Sequence, residues 1–181
     1  MATNCVKYCV QNIIFCNGCS TECQVEDPSF ILQLPVLSSL QESLDSYSSP
    51  EELLSNNSCC PNASREQCSV IAHRGRYLII QLKRFFTAAD GSHTKDLSKT
   101  DIPFDAPLYV NVSVDMVISC RKEFRLIATV NHSSSLHSGH YTAYIRHMSN
   151  KWLHCNDKAV VDVCCPKGID KSAYLLFYEQ M

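Results

Sequence analysis

With 181 residues, 45% of them hydrophobic and 19% charged, the chain can bury a core without disulfide staples and fits one domain, or one domain with a small subdomain. A net charge of −2 argues against nucleic acid or a membrane surface as the main partner. No apolar run approaches the ~18 residues of a membrane span, and Met1-Ala2-Thr3-Asn4-Cys5 has neither the basic start nor the apolar core of a signal peptide.

Twelve cysteines leave three readings open. Disulfides would suit a secreted chain, which the Asn-x-Ser triplets at Asn56, Asn62, Asn111 and Asn131 would welcome. The others are metal ligands, or inert thiols buried in reduced form.

The chain changes character near residue 68: residues 1–67 are rich in Cys, Ser and Asn, and 68–181 are mostly strand-like. Cys16-Asn17-Gly18-Cys19 is a turn carrying two thiols, half of a tetrahedral zinc site. Phe30 to Leu34 reads as a strand that Pro35 ends. Ser39-Leu40-Gln41-Glu42 is a capping box ahead of a short helix. Ser49-Pro50-Glu51-Glu52 predicts a second one, with Leu53 and Leu54 as its apolar face. A second thiol pair should face Cys16 and Cys19. The chain offers Cys59-Cys60, then Ala63 where a Cys-x-x-Cys pattern wants its last ligand, then Cys68. Cys60 is the expected third ligand, and a site using Cys59 or Cys60 with Cys68 is irregular.

Tyr77 to Leu82 is an almost continuous apolar run, expected to be buried on both faces. Lys83-Arg84-Phe85 closes it, and Ala89-Asp90-Gly91-Ser92 is a turn. Phe124 to Val130 predicts a strand, and the polar stretch Asn131 to His137 a binding loop. Tyr141 to His147 alternates aromatic and small residues. Trp152 to Cys155 and Ala159 to Val163 pair as a hairpin around Asn156-Asp157-Lys158, and Ala173 to Tyr178 makes a final buried strand. The fold class is α+β: an antiparallel sheet with its few helices near the N-terminal side.

His140 is the candidate for chemistry. Gly139 removes a side chain from its approach, and an imidazole with an ordinary pKa of ~6.5 suits general-base work at neutral pH. Such a ring needs a group that fixes its tautomer, and Asn156 or Asp157 can serve from a neighbouring strand end.

Taken together these stretches resemble the ubiquitin-specific proteases, papain-like deubiquitinases of the C19 peptidase type. The likeness runs through Phe15 to Cys19, Tyr77 to Phe85, Leu126 to His132, Ser138 to Tyr141, Trp152 to Asp157 and Ala173 to Tyr178, nearly the whole chain. It implies a hand fold, with residues 1–67 as partial fingers carrying a zinc knuckle of Cys16, Cys19 and Cys60, and 68–181 as palm. It implies His140 as general base, Asn156 as its orienting residue and Asp157 as an assistant. His132, Gly139 and Tyr141 would contact the Gly-Gly tail of ubiquitin, the stretch from His132 to Gly139 closing over it. Expected partners are ubiquitin or ubiquitinated proteins, with no nucleic acid or membrane, in cytoplasm or nucleus. No cofactor is needed for the chemistry.

The sequence departs from the family's pattern at the nucleophile. The thumb, with its cysteine box, is expected outside this chain. Asn4-Cys5 has only a superficial look of that box, eleven residues before Cys16 and with no Leu-Gln helix after it. The chain alone is therefore expected to be the C-terminal, inactive part of an isopeptidase, or a ubiquitin-binding fragment without chemistry.

Overall fold

Alternating burial dictates the strands, and the strands place the candidate residues. A computed structural model describes residues 6, 8–53, 59–60, 63–73, 75–115, 118–135, 138–149 and 151–181. In chain order the elements are β1 (Tyr8–Cys16), β2 (Glu22–Ser29), β3 (Leu32–Leu34), α1 (Leu40–Ser48), β4 (Glu51–Leu53), β5 (Arg65–His73), β6 (Tyr77–Leu82), β7 (Phe85–Thr87), β8 (His93–Lys95), β9 (Leu108–Asp115), β10 (Ile118–Ser135), β11 (Ser138–Arg146), β12 (Trp152–Asn156), β13 (Ala159–Val163), α2 (Ile169–Ser172) and β14 (Ala173–Gln180).

Twelve strands form one sheet along the path β13-β12-β11-β10-β9-β5-β1-β2, with β14, β6, β3 and β4 attached to it. Most pairs are antiparallel; β3–β6 and the single β5–β9 bridge are parallel. The 18-residue β10 organises the sheet. It pairs with β9 over Ile118 to Phe124, with β14 over Phe124 to Asn131 and with β11 over Ala128 to Ser135. Register shifts at Leu126/Ala128 and Val130/Asn131 bend it, as bulges do.

In β6, Leu78, Ile80 and Leu82 are fully buried while Tyr77, Ile79 and Gln81 are half-buried, so one face packs far more tightly than the other. These side chains join Leu32, Leu34, Leu126, Trp152, Leu176 and Tyr178 in the core. Arg84, which follows β6, is also fully buried. Its guanidinium donates to the carbonyls of Ala173 (2.7 Å), Asp170 (2.8 Å), Ser98 (2.9 Å) and Asp96 (3.2 Å). Burial lowers its pKa, opposed by Asp96 and Asp170. One side chain thus ties the end of β6 to the start of β14, with each carbonyl satisfying part of a buried cation.

The first predicted helix forms as expected. Ser39 Oγ accepts from the Glu42 amide at 3.1 Å, while the Glu42 carboxylate reaches back to the Ser38 amide at 3.2 Å. The second does not form: Glu51–Leu53 is a short strand, β4, paired with β5 over Arg65 to Gln67. Ser49, ahead of Pro50, takes an extended conformation (φ −72°, ψ 144°) that ends α1, because a residue before proline disfavours the helical region. Leu54 lies outside the described residues. The expected loop from Asn131 is instead the continuation of β10, which pairs with β11 as far as Ser135; Leu136 and His137 lie outside the described residues. A second helix, α2, sits near the C-terminus rather than on the N-terminal side. Strands β1, β2, β5 and β9 add to those read from the sequence. Among the described residues no helix is long and apolar enough to cross a membrane.

Candidate functional site: a histidine pair and a four-thiol cluster

The β10–β11–β12–β13 end of the sheet is a set of nested hairpins, and register alone determines which side chains meet there. Ala143 of β11 pairs with Cys155 of β12, so one step along that register Asn156 falls beside Thr142, on the face that His140 shares two residues away. His140 Nε2 and Asn156 Oδ1 are 2.5 Å apart, and both residues are exposed. An amide oxygen only accepts, so Nε2–H donates, and in the neutral ring Nδ1 carries the lone pair. Asp157 follows in the two-residue turn Asp157-Lys158 between β12 and β13, with a left-handed φ of 50° that Asp tolerates better than most residues. It is exposed beside the pair.

The other three predicted site residues sit on the opposite face of the sheet, Gly139 and Tyr141 on β11 and His132 on β10, because successive residues alternate faces. His132 pairs with Tyr141, and their rings lie 4.7 Å apart. Tyr141 is 53% exposed whereas His132 is only 4% exposed. Phe85 packs edge-on to His132 at 5.3 Å and to Tyr174 at 5.5 Å. The Lys95 ammonium donates to the His132 carbonyl. Burial, then the Lys95 charge, lowers the pKa of the His132 imidazole and favours its neutral form. Gly139 lies against that ring: a Cβ built there would stand 2.6 Å from both Cδ2 and Cε1 of His132.

At the other end of the sheet path, the turn between β1 and β2 meets the segment before β5. The sulfurs of Cys16, Cys19, Cys59 and Cys60 all lie within 4.8 Å of one another. Tetrahedral zinc–sulfur bonds of about 2.3 Å hold sulfurs roughly 3.8 Å apart, so the four thiols fit a zinc ion. The ligand set is therefore complete, which corrects the expectation of three cysteines and an unfilled fourth place. Cys59 takes that place, not a residue at the Ala63 position. Cys68 stands apart, donating to the Ser48 carbonyl at 3.2 Å. Gly18 permits the approach of the two arms: a Cβ there would meet the Cβ of Ala63 at 2.7 Å and that of Cys60 at 2.8 Å. A search for two Cys-x-x-Cys turns misses Cys59, since its signal is the adjacent pair itself.

The protons in this cluster are unevenly held. Thr21, followed by Cys59, stabilises the Cys19 thiolate and brings its pKa down to about 6. The hydrogen bond with Cys19, then burial, pushes Cys60 up to about 12. Cys19 and Cys59 sulfurs are 3.2 Å apart. A divalent cation entering the cluster would displace the thiol protons that remain.

Comparison with known proteins gives the family. The profile of the family described as ubiquitin carboxyl-terminal hydrolase matches residues 2–178. Ubiquitin carboxyl-terminal hydrolase cyk-3 of Caenorhabditis elegans is 33% identical over 150 residues, covering 79% of this chain and 12% of that protein. Ubiquitin carboxyl-terminal hydrolase 25 of Arabidopsis thaliana is 29% identical over 180 residues, 94% of this chain and 26% of that protein. Among solved structures, the Ubp8/Sgf11/Sus1/Sgf73 module of SAGA bound to ubiquitin aldehyde contains a chain that superposes with a TM-score of 0.87 at 25% identity. The match covers 98% of this chain and 42% of that one. The chain thus spans well under half the length of these relatives. A profile that begins ahead of β1 and runs into β14, passing through the thiol cluster and the histidine pair, settles the affiliation: the chain belongs to the ubiquitin carboxyl-terminal hydrolase family.

Proposed function

We propose that this chain is the C-terminal, histidine-bearing part of a deubiquitinating cysteine isopeptidase that hydrolyses the bond after the ubiquitin C-terminal glycine. The observation that carries the reading is the His140 Nε2–H···Oδ1 Asn156 hydrogen bond of 2.5 Å. With Nε2 committed to Asn156, Nδ1 is the nitrogen that takes a proton from an attacking thiol. The resulting imidazolium, steadied by the amide oxygen, returns that proton to the leaving lysine amine. A water then loses a proton to the same nitrogen as it attacks the thioester, regenerating the thiol. Asp157, beside Asn156, adds negative charge near the imidazolium. The nucleophilic cysteine and the thumb lie outside this chain in this reading, and Cys5 is not the nucleophile. The chain by itself therefore binds ubiquitin without cleaving it.

Tyr141 and Gly139, with His132 behind them, form one wall of the channel for the ubiquitin tail. A wall this close suits glycine, since a side chain in the tail would collide with it. Residues 1–67 serve as partial fingers and 68–181 as palm, with zinc held by Cys16, Cys19, Cys59 and Cys60 in a structural role. The protein works in the cytoplasm or nucleus on ubiquitin or ubiquitinated proteins. The solved complexes of Ubp8 with ubiquitin aldehyde and monoubiquitin support the choice of ubiquitin.

Calorimetric titration of the chain with ubiquitin, and with ubiquitin lacking its last two glycines, tests this reading. Binding that weakens markedly on removing the glycines is expected; equal heats, or none with either form, would contradict it. A ubiquitin C-terminal electrophile should leave every cysteine unlabelled. A thioether on Cys5 would overturn the placement of the nucleophile outside the chain.

A further inference from the structure

His132 and Gly139 share one volume on the back of the strand that presents His140. Side chains alternate along β11, so Gly139 and Tyr141 face the side that His132 occupies, and His140 faces the other. The His132 ring stands where a side chain at 139 would be, with a Cβ on Gly139 falling 2.6 Å from both Cδ2 and Cε1. The ring is itself braced. Phe85 of β7 meets it edge-on at 5.3 Å, Tyr141 lies at 4.7 Å, and Lys95 of β8 holds the His132 carbonyl. Its Nδ1 is buried with no hydrogen-bond partner among the described residues. Ser133, the next residue, donates from Oγ to the His140 carbonyl at 3.2 Å. A glycine immediately before a catalytic base is a liability, because it has more backbone freedom than any other residue. Here that freedom is removed by an imidazole whose Nε2 apex points at the bare Cα.

We propose that His132 is a positioning residue: its buried ring occupies the side-chain space of Gly139 and thereby fixes the strand geometry that holds the His140 imidazole against Asn156. It acts through packing, and its contact is with the strand and not with the reacting atoms. This inference rests on the assignment of His140 as base and Asn156 as its orienting partner.

The test is a set of four variants of the whole chain: His132→Ala, Gly139→Ala, the double variant, and Asn156→Ala as reference. The readout is the ring nitrogen spectrum of His140 by long-range 1H–15N NMR, which reports the tautomer, with the thermal midpoint recorded for each variant. The wild type should show a fixed Nε2–H tautomer. Gly139→Ala should lose it, because the new methyl and the His132 ring cannot coexist. His132→Ala should lose it through slack at Gly139. The double variant should regain it, the methyl filling part of the vacated space. Recovery of the tautomer in the double variant supports the proposal even if a single variant folds poorly. A purely structural role would lower the midpoints of the single variants while the His140 spectrum of the folded fraction stayed as in wild type, and that result overturns the proposal. If Asn156→Ala shifts the tautomer but neither His132→Ala nor Gly139→Ala does, His132 has no positioning role and the base assignment stands. If Asn156→Ala also leaves it unchanged, both fall.

Discussion

The two ends of the sheet solve the same problem, holding reactive side chains at fixed separations, in different ways. At the β11–β12 end, register does the work: once Ala143 pairs with Cys155, His140 and Asn156 fall on one face of the sheet within reach of each other. At the β1–β2 end, turns do the work. Cys16 and Cys19 come from the end of β1 and the turn after it, and Cys59 and Cys60 from the segment ahead of β5. The strand end that carries His140 needs no ligand to be held, because β10 pairs with it through Ser138. Two loop ends carrying four thiols gain little from each other until a cation joins them.

That contrast predicts that each end can be broken without the other. Trp152 is 1% exposed, and the Arg146 guanidinium carbon lies 4.8 Å from its ring centre. Trp152→Ala should cost about 3–5 kcal/mol by leaving a large cavity under β12. Denaturant unfolding measures this, and metal content at low denaturant should stay at the wild-type value. Loss of metal in this variant would mean that the ends are coupled.

Cys59→Ser attacks the other end. Structural zinc contributes ~10–16 kcal/mol in small domains, so one of four thiolates accounts for roughly 3 kcal/mol, or about a hundredfold in affinity. Competition with a chromophoric chelator should show this loss, with Cys68→Ser indistinguishable from wild type. Equal affinity in Cys59→Ser would return the fourth place to another ligand. The His140 ring signals should be unaffected.

Smaller effects sharpen the picture. Ser39→Ala removes the cap of α1 and should cost about 1 kcal/mol, read from the denaturant midpoint. The buried His132 contributes to pH dependence with a definite sign. Its folded pKa lies below the unfolded value of about 6.5, so the unfolded chain binds its proton first as the pH falls. The stability is complete above about pH 6.5 and is lost as the pH drops through the folded pKa. Thermal midpoints between neutral and mildly acid pH should therefore fall less steeply in His132→Ala than in wild type.

The same contrast explains which parts were legible in the sequence. Strands with a strong apolar run or alternation were readable: β6, the middle of β10, the β12–β13 hairpin and β14. So was the proximity of His140 to Asn156, because strand spacing and turn residues constrain it. Strands β1 and β2 were not, since every residue of β2 from Glu22 to Pro28 is exposed and no apolar rhythm marks it. Pro50 misled in the opposite direction. It is a good first helical residue, but the preceding Ser49 had already left the helical region and β5 offered the next three residues a partner. Cys59 came up in the sequence only as an irregular partner of Cys68, because a Cys-x-x-Cys spacing points past it, whereas the fold needs only four sulfurs in reach. His132 looked like a surface contact because its sequence neighbours are polar; the face it points to is set by β10 pairing that extends four residues past Asn131.

The most direct test of the account is the tautomer of His140 in the wild-type chain and in Asn156→Ala, read from the ring nitrogens by NMR near neutral pH. The neutral His140 ring is expected to hold a fixed Nε2–H tautomer in wild type, relaxing towards the free-imidazole mixture in the variant. A proton on Nδ1 in wild type, or the same spectrum in both proteins, would contradict the assignment of Asn156 as the residue that prepares His140 to accept a proton.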